Sequence, residues 1–281
     1  TEYAREAVQI ARAANDTDAT ILGLQVQGLA LAGTGRYDEA CQVFDQTFRF
    51  GREFGIGPFL ARSIAMSAGF HLDVFDFDGH TALVEEARDM ARSVGFAPPL
   101  ISASIDLLLN LARREELGRA EQLKAEVAGV IQKAASWHGW LWRLRFSQAQ
   151  AEIALVRGAT EQAIALANEA FERSRRRRPK YQVLALVTRG QALRKLGRTR
   201  EAIGDLRSAV QLARPQGDPA LLLRSAAALL DVDGDDLLAA EAGVTARRIL
   251  ARLPTEEMRE RFRSAEPVRL IGRLAAPGDA F

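Results

Sequence analysis

The sequence predicts an all-α protein, a right-handed superhelical solenoid of antiparallel helical hairpins. Alanine, the strongest helix former, makes up about one residue in six, and no proline occurs between Pro99 and Pro179. No segment alternates β-branched and polar residues as a half-buried strand would. The prolines before residue 220 are about 40 residues apart, or a multiple of that distance, at Pro58, Pro98, Pro99, Pro179, Pro215 and Pro219. This spacing indicates a repeat of paired helices.

Two segments carry the repeat most clearly. Residues 28–47 have the pattern Gly-x2-Leu-x3-Gly-x-Tyr-x-Glu-Ala-x3-Phe-x2-Thr, and residues 190–209 have Gly-x2-Leu-x3-Gly-x-Thr-x-Glu-Ala-x3-Leu-x2-Ala. A small residue on the first helix, Gly28 or Gly190, is expected to face a small residue on the second helix, so that the backbones cross closely. A further glycine then ends the first helix in the left-handed conformation. These glycines are Gly35, Gly158 and Gly197.

The motif Gly-x2-Tyr…Gly-x-Tyr-x-Glu-Ala of the tetratricopeptide repeat is nearly intact at residues 28–40, with Leu31 in the first Tyr position. The chain resembles this family over roughly residues 1–255, in a long-helix variety with copies of about 40 residues instead of ~34. That variety is common in bacterial LuxR-type regulators and in ATPase- or cyclase-linked signalling proteins. The resemblance implies a non-enzymatic protein–protein interaction or sensor module, in the C-terminal regulatory region of a larger bacterial signalling or transcription-regulatory protein.

The predicted helices follow the repeat along the chain. Residues 3–11 fit only the second helix of a hairpin, so the array, residues 1–253, is expected to begin inside a truncated repeat of a longer polypeptide. Six copies are expected, near residues 21–55, 61–95, 101–136, 140–174, 181–214 and 219–253. Residues 254–281 are expected to form a capping helix, 255–262, and a tail in which residues 267–274 fold back. Because each copy contacts only its neighbours, the sequence also predicts an elongated, curved shape.

Composition and charge restrict the functions that need consideration. The formal net charge is +2, too small for strong long-range attraction of nucleic acid, so no nucleic-acid partner is expected. No apolar run reaches the ~20 residues of a membrane helix, and the first residues do not open a signal or transit peptide. A cytoplasmic protein without a membrane partner is therefore expected. The single cysteine, Cys41, excludes an intramolecular disulfide and is expected to be a buried, inert thiol.

Motifs of catalytic and nucleotide sites are absent from the sequence. It contains no Gly-x4-Gly-Lys-Ser/Thr, Gly-x-Gly-x2-Gly, His-Glu-x2-His or Gly-x-Ser-x-Gly pattern, so neither enzyme activity nor a cofactor is expected. One segment, residues 71–80, combines two histidines and three aspartates, His71, Asp73, Asp76, Asp78 and His80. It is either a divalent-metal site or a turn whose acidic residues favour the start of the next helix. Its spacing matches neither calcium loops nor tetrahedral zinc motifs.

Two further segments have features of nucleic-acid or acidic-partner sites. Residues 173–180, Arg-Ser-Arg-Arg-Arg-Arg-Pro-Lys, are either such a site or a solvated turn at a helix end, where the helix dipole favours cations. Residues 234–253 resemble a helix-turn-helix DNA reader, with Gly243 in the turn and Val244 and Ile249 packing the recognition helix. The frame of the last repeat accounts equally well for this span. A DNA-binding regulator is the alternative function.

The first helices of such repeats line a concave groove. Residues 145, 148 and 152 should project into it. Equivalent positions hold Gln25, Arg62, Arg113, Gln191, Arg194, Lys195 and Arg224. The groove is therefore expected to be polar and mostly basic. The paired Asn and Lys residues of the family's best-known peptide clamp are missing.

All three tryptophans, Trp137, Trp140 and Trp142, open one first helix and belong either to the core or to this groove. Trp142 precedes Arg145 by one turn, and Trp beside Arg is typical of interaction hot spots. The sequence predicts that a peptide segment, acidic or mixed, docks in the groove, from a partner protein or from another domain of the same polypeptide. The predicted site residues are Arg113, Trp142, Arg145, Gln148, Glu152, Gln191 and Arg194.

Overall fold

The computed structural model describes residues 2–133, 137–175 and 177–274, and over these residues it contains fifteen α-helices and no strand. This confirms the predicted all-α class. The first seven helices are α1 Glu2–Ala13, α2 Thr17–Ala32, α3 Tyr37–Glu53, α4 Gly57–Asp73, α5 Phe77–Ser93, α6 Ala97–Arg113 and α7 Leu117–Lys133. The other eight are α8 Trp137–Val156, α9 Thr160–Ser174, α10 Pro179–Lys195, α11 Thr199–Ala213, α12 Pro219–Leu230, α13 Asp236–Arg252, α14 Glu256–Ser264 and α15 Glu266–Leu274.

The helices pack as a solenoid of antiparallel hairpins. Each even-numbered helix from α2 to α12 is the first helix of a hairpin and packs on the odd-numbered helix that follows it. Each first helix also packs on the next first helix, which makes the even-numbered helices an inner layer. Helix α1 lies before the first hairpin and packs on α2. Among the described residues no helix is both long enough and apolar enough to cross a membrane.

Glycine at the helix crossing makes room for a large side chain of the second helix. A Cβ atom on Gly28 would lie 2.8 Å from Cζ of Phe44, and one on Gly190 would lie 2.7 Å from Cγ of Leu206. The expected pairing of two small residues is therefore only part of the crossing. The small residue Ala202 does approach Gly190, through its carbonyl oxygen at 3.3 Å from the same position.

Gly190→Ala is expected to destabilise the protein although alanine favours helices. Overpacking by the new methyl group destabilises the protein by ~1–3 kcal/mol. This exceeds the ~0.5–1 kcal/mol of stabilisation gained when alanine replaces a glycine within a helix. Gly204→Ala is the matched control, because Gly204 is an exposed residue of α11 with no atom within 4 Å of its added Cβ. Urea unfolding should show a loss of stability for the first variant and a gain for the second. Equal effects would contradict the close crossing at Gly190.

The turns between helices use the left-handed conformation. Gly35, Gly158 and Gly197 have φ values of 76°, 80° and 75°, which confirms the predicted helix ends. Phe75, in the turn between α4 and α5, has φ 63° although it has a large side chain. Residues other than glycine adopt this backbone conformation at a cost of roughly 1–2 kcal/mol. The turn after α4 is therefore strained at a position where the α2–α3, α8–α9 and α10–α11 turns have a glycine and the α6–α7 turn has Glu115, with φ 61°.

The C-terminal helices return to the N-terminal half and close the solenoid. One hydrophobic cluster joins Tyr37, Phe70 and Phe75 with Leu221 and Phe262. The rings of Phe75 and Phe262 lie 6.1 Å apart between centroids. The accessible surface is 13090 Å², close to the ~12,000 Å² of a compact protein of this mass. The expectation of an elongated array in which copies contact only their neighbours is wrong, because residues more than one repeat apart share this cluster.

Ion pairs reinforce the closure. Arg252 of α13 donates to Asp38 of α3, with 3.1 Å between Nη1 and Oδ2, and Arg261 of α14 pairs with Asp76 in the turn before α5. Helix α15 packs on α12 and α13 and buries Val268 and Ile271. Helices α14 and α15 together are called the cap below. The tail after residue 274 lies outside the described residues.

Residues 234–253 do not form a helix-turn-helix. Helix α13 runs without interruption from Asp236 to Arg252, and Gly243 is buried in its middle. Val244, expected to pack the recognition helix, is 58% exposed. The glycine therefore permits close packing within one helix, and the helix-turn-helix interpretation is wrong. The DNA-binding alternative loses the observation on which it depended.

Candidate functional site

Two of the predicted groove residues are buried between α6 and α8. Trp142 is 6% exposed, and its indole Nε1 donates to Oγ of Ser102 at 3.1 Å. Arg145 forms an ion pair with Asp106 and also donates to the Ser102 carbonyl at 3.3 Å. The side chains of this part of the inner layer are thus already partnered within the chain. The burial of Trp142 favours the core interpretation of this tryptophan.

A second polar group lies two turns further along α8. Arg113 donates to Glu152 with two parallel hydrogen bonds, 2.8 Å from Nε and 3.0 Å from Nη2. Nε2 of Gln148 donates to Glu152 and to Oγ1 of Thr188, at 3.0 Å each. Burial alone would raise the pKa of the Glu152 carboxyl, but the Arg113 guanidinium outweighs it and the pKa is lowered. Both side chains are therefore charged and mutually neutralised.

A cavity of about 330 Å³ adjoins this pair. The inner helices α6, α8, α10 and α12 wall one side of it, and the α4–α5 turn and the cap wall the other. Its charged and amide residues include Arg113, Glu152, Gln191, Arg224 and Asp231. Three of the predicted site residues therefore line one cavity, and Gln148 lies directly behind Glu152. We call this cavity the inner pocket.

The remaining predicted residue, Arg194, lies at the exposed side of the inner pocket. It forms an ion pair with Asp231, the residue that follows α12, and both side chains are nearly half exposed. Gln191, one turn earlier on α10, is also exposed. The structure thus divides the predicted site. Trp142 and Arg145 are buried at one end of the inner layer, and the other five residues surround the inner pocket.

Arg224 differs from the other cations of the inner layer. No carboxylate lies within 4.0 Å of its guanidinium among the described residues. Its nearest partners are the Leu72 carbonyl, 3.5 Å from Nη2, and the ring of Phe75, whose centroid is 5.0 Å from Cζ. Burial, and then the proximity of Arg113, lower the pKa of Arg224 from 12.5 to about 10. This guanidinium lacks a counter-charge in direct contact.

Sequence reasoning missed the partners of these residues, although a signal was present. Arg113 with Glu152, and Arg145 with Asp106, are both separated by 39 residues, one repeat length. A search for opposite charges at that spacing would have paired them. Phe75 carries a weaker signal, as a phenylalanine at a turn position where three other hairpins have glycine.

The basic run of residues 173–180 is partly paired with acidic residues of the same chain. Lys180 forms ion pairs with Asp73 of α4 and with Asp218, the latter at 3.9 Å. Arg175 pairs with Glu172 at 3.3 Å, and the Arg177 guanidinium lies 5.3 Å from the ring centroid of Trp140. Arg176 lies outside the described residues. Lys180 therefore contributes to the closure of the solenoid, whereas Arg175 and Arg177 are exposed in the turn before α10.

The segment of residues 71–80 forms a helix cap. Nδ1 of His71 is 2.6 Å from Oδ2 of Asp76, and Asp76 accepts a hydrogen bond from the Gly79 backbone at the start of α5. His80 is buried, with its Nδ1 2.7 Å from Nδ2 of Asn110. In the described part of the chain, no three His, Cys, Asp or Glu side chains are placed to hold a metal ion. This geometry corresponds to the turn interpretation of the segment.

His80 predicts a loss of stability in mild acid. Burial, opposed by Asp106 and assisted by His71 and Arg113, lowers the pKa of His80 from 6.5 to about 4. The unfolded chain therefore binds a proton between these pH values while the folded protein does not. The contribution of neutral His80 to the free energy of unfolding is fully present above pH ~6.5. It is lost as the pH falls toward ~4, by roughly 3 kcal/mol at most. In His80→Gln the loss between pH 6.5 and 4.5, measured by urea unfolding, should be clearly smaller. An unchanged slope would exclude His80 as its source.

Comparison with known proteins adds little to this description. No protein-family model matches the sequence, and no curated protein matches it. A similar solved structure is the TPR2AB-domain:pHSP90-complex of yeast Sti1, with 16% identity, coverage of 97% of each chain and a TM-score of 0.30. A TM-score this low carries no argument. The fold and the inner pocket therefore depend on the helices and contacts described above.

Proposed function

We propose that the chain is a non-enzymatic binding module, the regulatory or sensor region of a larger bacterial signalling or transcription-regulatory protein. Its partner is a peptide segment or a domain, from another protein or from the same polypeptide. The observation that carries the proposal is the inner pocket, where Arg113, Glu152, Gln191 and Arg224 meet at a cavity. The sequence resemblance to bacterial tetratricopeptide-type regulators supports the setting in a larger protein.

The partner contacts the exposed side of the pocket, because the buried ion pairs are not available for exchange. Breaking a buried pair by removing one partner costs about 3–5 kcal/mol. An exposed pair contributes only ~0–1 kcal/mol, so an incoming carboxylate can replace Asp231 beside Arg194 at little cost. Arg194 is the anchor for an acidic side chain of the partner, and Gln191 is the neighbouring polar contact.

The proposed function includes no catalytic step. The sequence has no phosphate-binding loop, and residues 71–80, its strongest candidate for a metal site, cap a helix. Arg113 and Glu152 of the inner pocket are held in an ion pair that fixes their positions, and Asp231 pairs with Arg194 at its exposed side. Fixed charges of this kind position a ligand and do not by themselves transfer a proton or a group.

Site-specific photo-crosslinking in bacterial cells that express the chain tests the proposal. A photoreactive amino acid in place of Gln191 is expected to crosslink one defined partner protein or domain, identified by mass spectrometry. Gln211, exposed on α11, is the matched position on the second-helix layer and should give no such product. Arg194→Glu should abolish the Gln191 product. Identical products at both positions, or a product that Arg194→Glu leaves unchanged, would contradict a partner site at this face.

A further inference from the structure

Of the two arginines that line the inner pocket, Arg224 has no ion-pair partner among the described residues, and Glu152, Asp73 and Asp218 offset its charge only at longer range. Arg113 is neutralised by Glu152, Asp231 by Arg194, and Glu266 is 3.5 Å from Arg273. Arg224 has no such partner, and it is held by a carbonyl and an aromatic ring alone. A charge removed from water without a counter-charge is unfavourable. The Arg224 guanidinium is therefore available as the direct partner of one negatively charged group of a ligand.

The rest of the pocket is suited to an apolar body. Its lining includes Phe77, Leu155, Leu184, Val187 and Leu270, which come from α5, α8, α10 and α15. The cavity of about 330 Å³ lies at the small end of the ~300–1,000 Å³ that is typical of ligand pockets. It has room for roughly eleven water molecules at ~30 Å³ each, so a ligand of about ten non-hydrogen atoms matches it.

The anion is a carboxylate and not a phosphate. A guanidinium binds a carboxylate through two parallel hydrogen bonds, and one free guanidinium supplies charge for one such group. The carboxylates of Glu152, Asp231 and Glu266 also line the pocket, and they oppose a doubly charged phosphate more strongly than a singly charged carboxylate.

The strained backbone at Phe75 is a second observation that points to a ligand site beside Arg224. Its backbone has φ 63°, and its ring is buried below the Arg224 guanidinium. Strained backbone persists where the surrounding structure requires it, and such residues cluster at ligand sites. Here the strained turn places an aromatic ring against the guanidinium at the charged end of the pocket.

We propose that the inner pocket binds a small amphipathic monocarboxylate, whose carboxylate pairs with Arg224 and whose apolar body lies against Leu155, Leu184 and Leu270. Arg194, the anchor of the proposed partner contact, lies outside the cavity lining, whereas Gln191 borders both sites. The ligand also lies between α12 and the cap, since Pro267 and Leu270 of α15 line the same cavity. Bound ligand therefore stabilises the closed solenoid.

Titration of the purified chain with octanoate, which has ten non-hydrogen atoms, tests the proposal without any partner protein. Octanoate is expected to bind in calorimetry and to raise the melting temperature with increasing concentration. Octanol, which has the same chain without the charge, and octyl phosphate should each bind at least about tenfold more weakly. Butanoate should also bind more weakly, because it leaves most of the apolar wall uncovered.

Arg224→Gln is expected to weaken octanoate binding at least about tenfold, because a charged pair is replaced by neutral hydrogen bonds. Arg52→Gln removes an exposed cation outside the pocket lining and should leave octanoate binding unchanged. Ala228→Leu narrows the pocket and keeps the Arg224 charge, so it should weaken octanoate binding even if Arg224→Gln alters the fold. The proposal is overturned if octanoate does not bind the folded wild type, if octanol binds equally well, or if neither Arg224→Gln nor Ala228→Leu weakens binding. Failure of the crosslinking experiment alone leaves this result unaffected.

Discussion

Glu152→Ala is expected to destabilise the protein by about 3–5 kcal/mol, because it leaves the Arg113 guanidinium buried without its carboxylate. The two residues join neighbouring first helices by a pair of parallel hydrogen bonds, so the change also uncouples two repeats. Equilibrium urea unfolding measures the effect. Glu86→Ala, which removes a half-exposed partner 3.6 Å from Arg52, is the control and should change stability by less than ~1 kcal/mol.

The double variant Arg113→Leu with Glu152→Leu separates two explanations of that loss. Replacing both partners of a buried ion pair by apolar residues is often neutral or stabilising by ~1–4 kcal/mol. We therefore expect the double variant to be far more stable than Glu152→Ala alone. If Glu152→Ala costs no more than the exposed control, the pair is not buried as described. If the double variant is as unstable as the single one, the loss comes from packing and not from an unpaired charge.

Phe262→Ala is expected to cost about 3–5 kcal/mol and to open the solenoid. Phe262 of α14 is 0% exposed and packs against Phe75, about 190 residues earlier in the chain, and it belongs to the cluster that joins both ends of the array. Thermal unfolding gives the stability, and small-angle X-ray scattering gives the radius of gyration, which should increase as the cap detaches.

Phe54→Ala is the matched control for this prediction. Phe54 follows α3 and is 53% exposed, so its truncation should cost little and leave the radius of gyration unchanged. If Phe262→Ala melts close to the wild type with the same radius of gyration, the cap does not hold the ends together. Because Phe262 packs beside the Phe75 turn, opening the solenoid is also expected to release the ring that lies against Arg224.

The closed solenoid changes what the inner layer is able to bind. In an open array the first helices present a continuous groove, which is what the repeat pattern predicts. Here the α4–α5 turn and the cap cover that face, and the inner pocket remains between them. Lys180 contributes to the cover by pairing with Asp73 and Asp218. A ligand or partner therefore meets a short, walled site and not an extended peptide channel.

The sequence by itself determined the helices, the turns and the layer to which each residue belongs. Helix crossings at Gly28 and Gly190 and helix ends at Gly35 follow from glycine chemistry over short distances along the chain. The one-repeat spacing placed Arg113, Arg145 and Glu152 on the inner layer. These features were predictable because the contacts that produce them lie within one hairpin or between adjacent hairpins.

Only the tertiary structure decided that the ends meet and that the groove becomes a pocket. The small rotation between neighbouring hairpins accumulates over the whole array, so closure depends on a sum that no single repeat encodes. Contacts such as Phe75 with Phe262, or Arg252 with Asp38, join residues far apart in sequence and outside the repeat frame. The frame likewise shows which way Arg224 projects but not whether a carboxylate reaches it. That outcome depends on burial and on neighbours brought in by closure, which is why one charge is left without a partner.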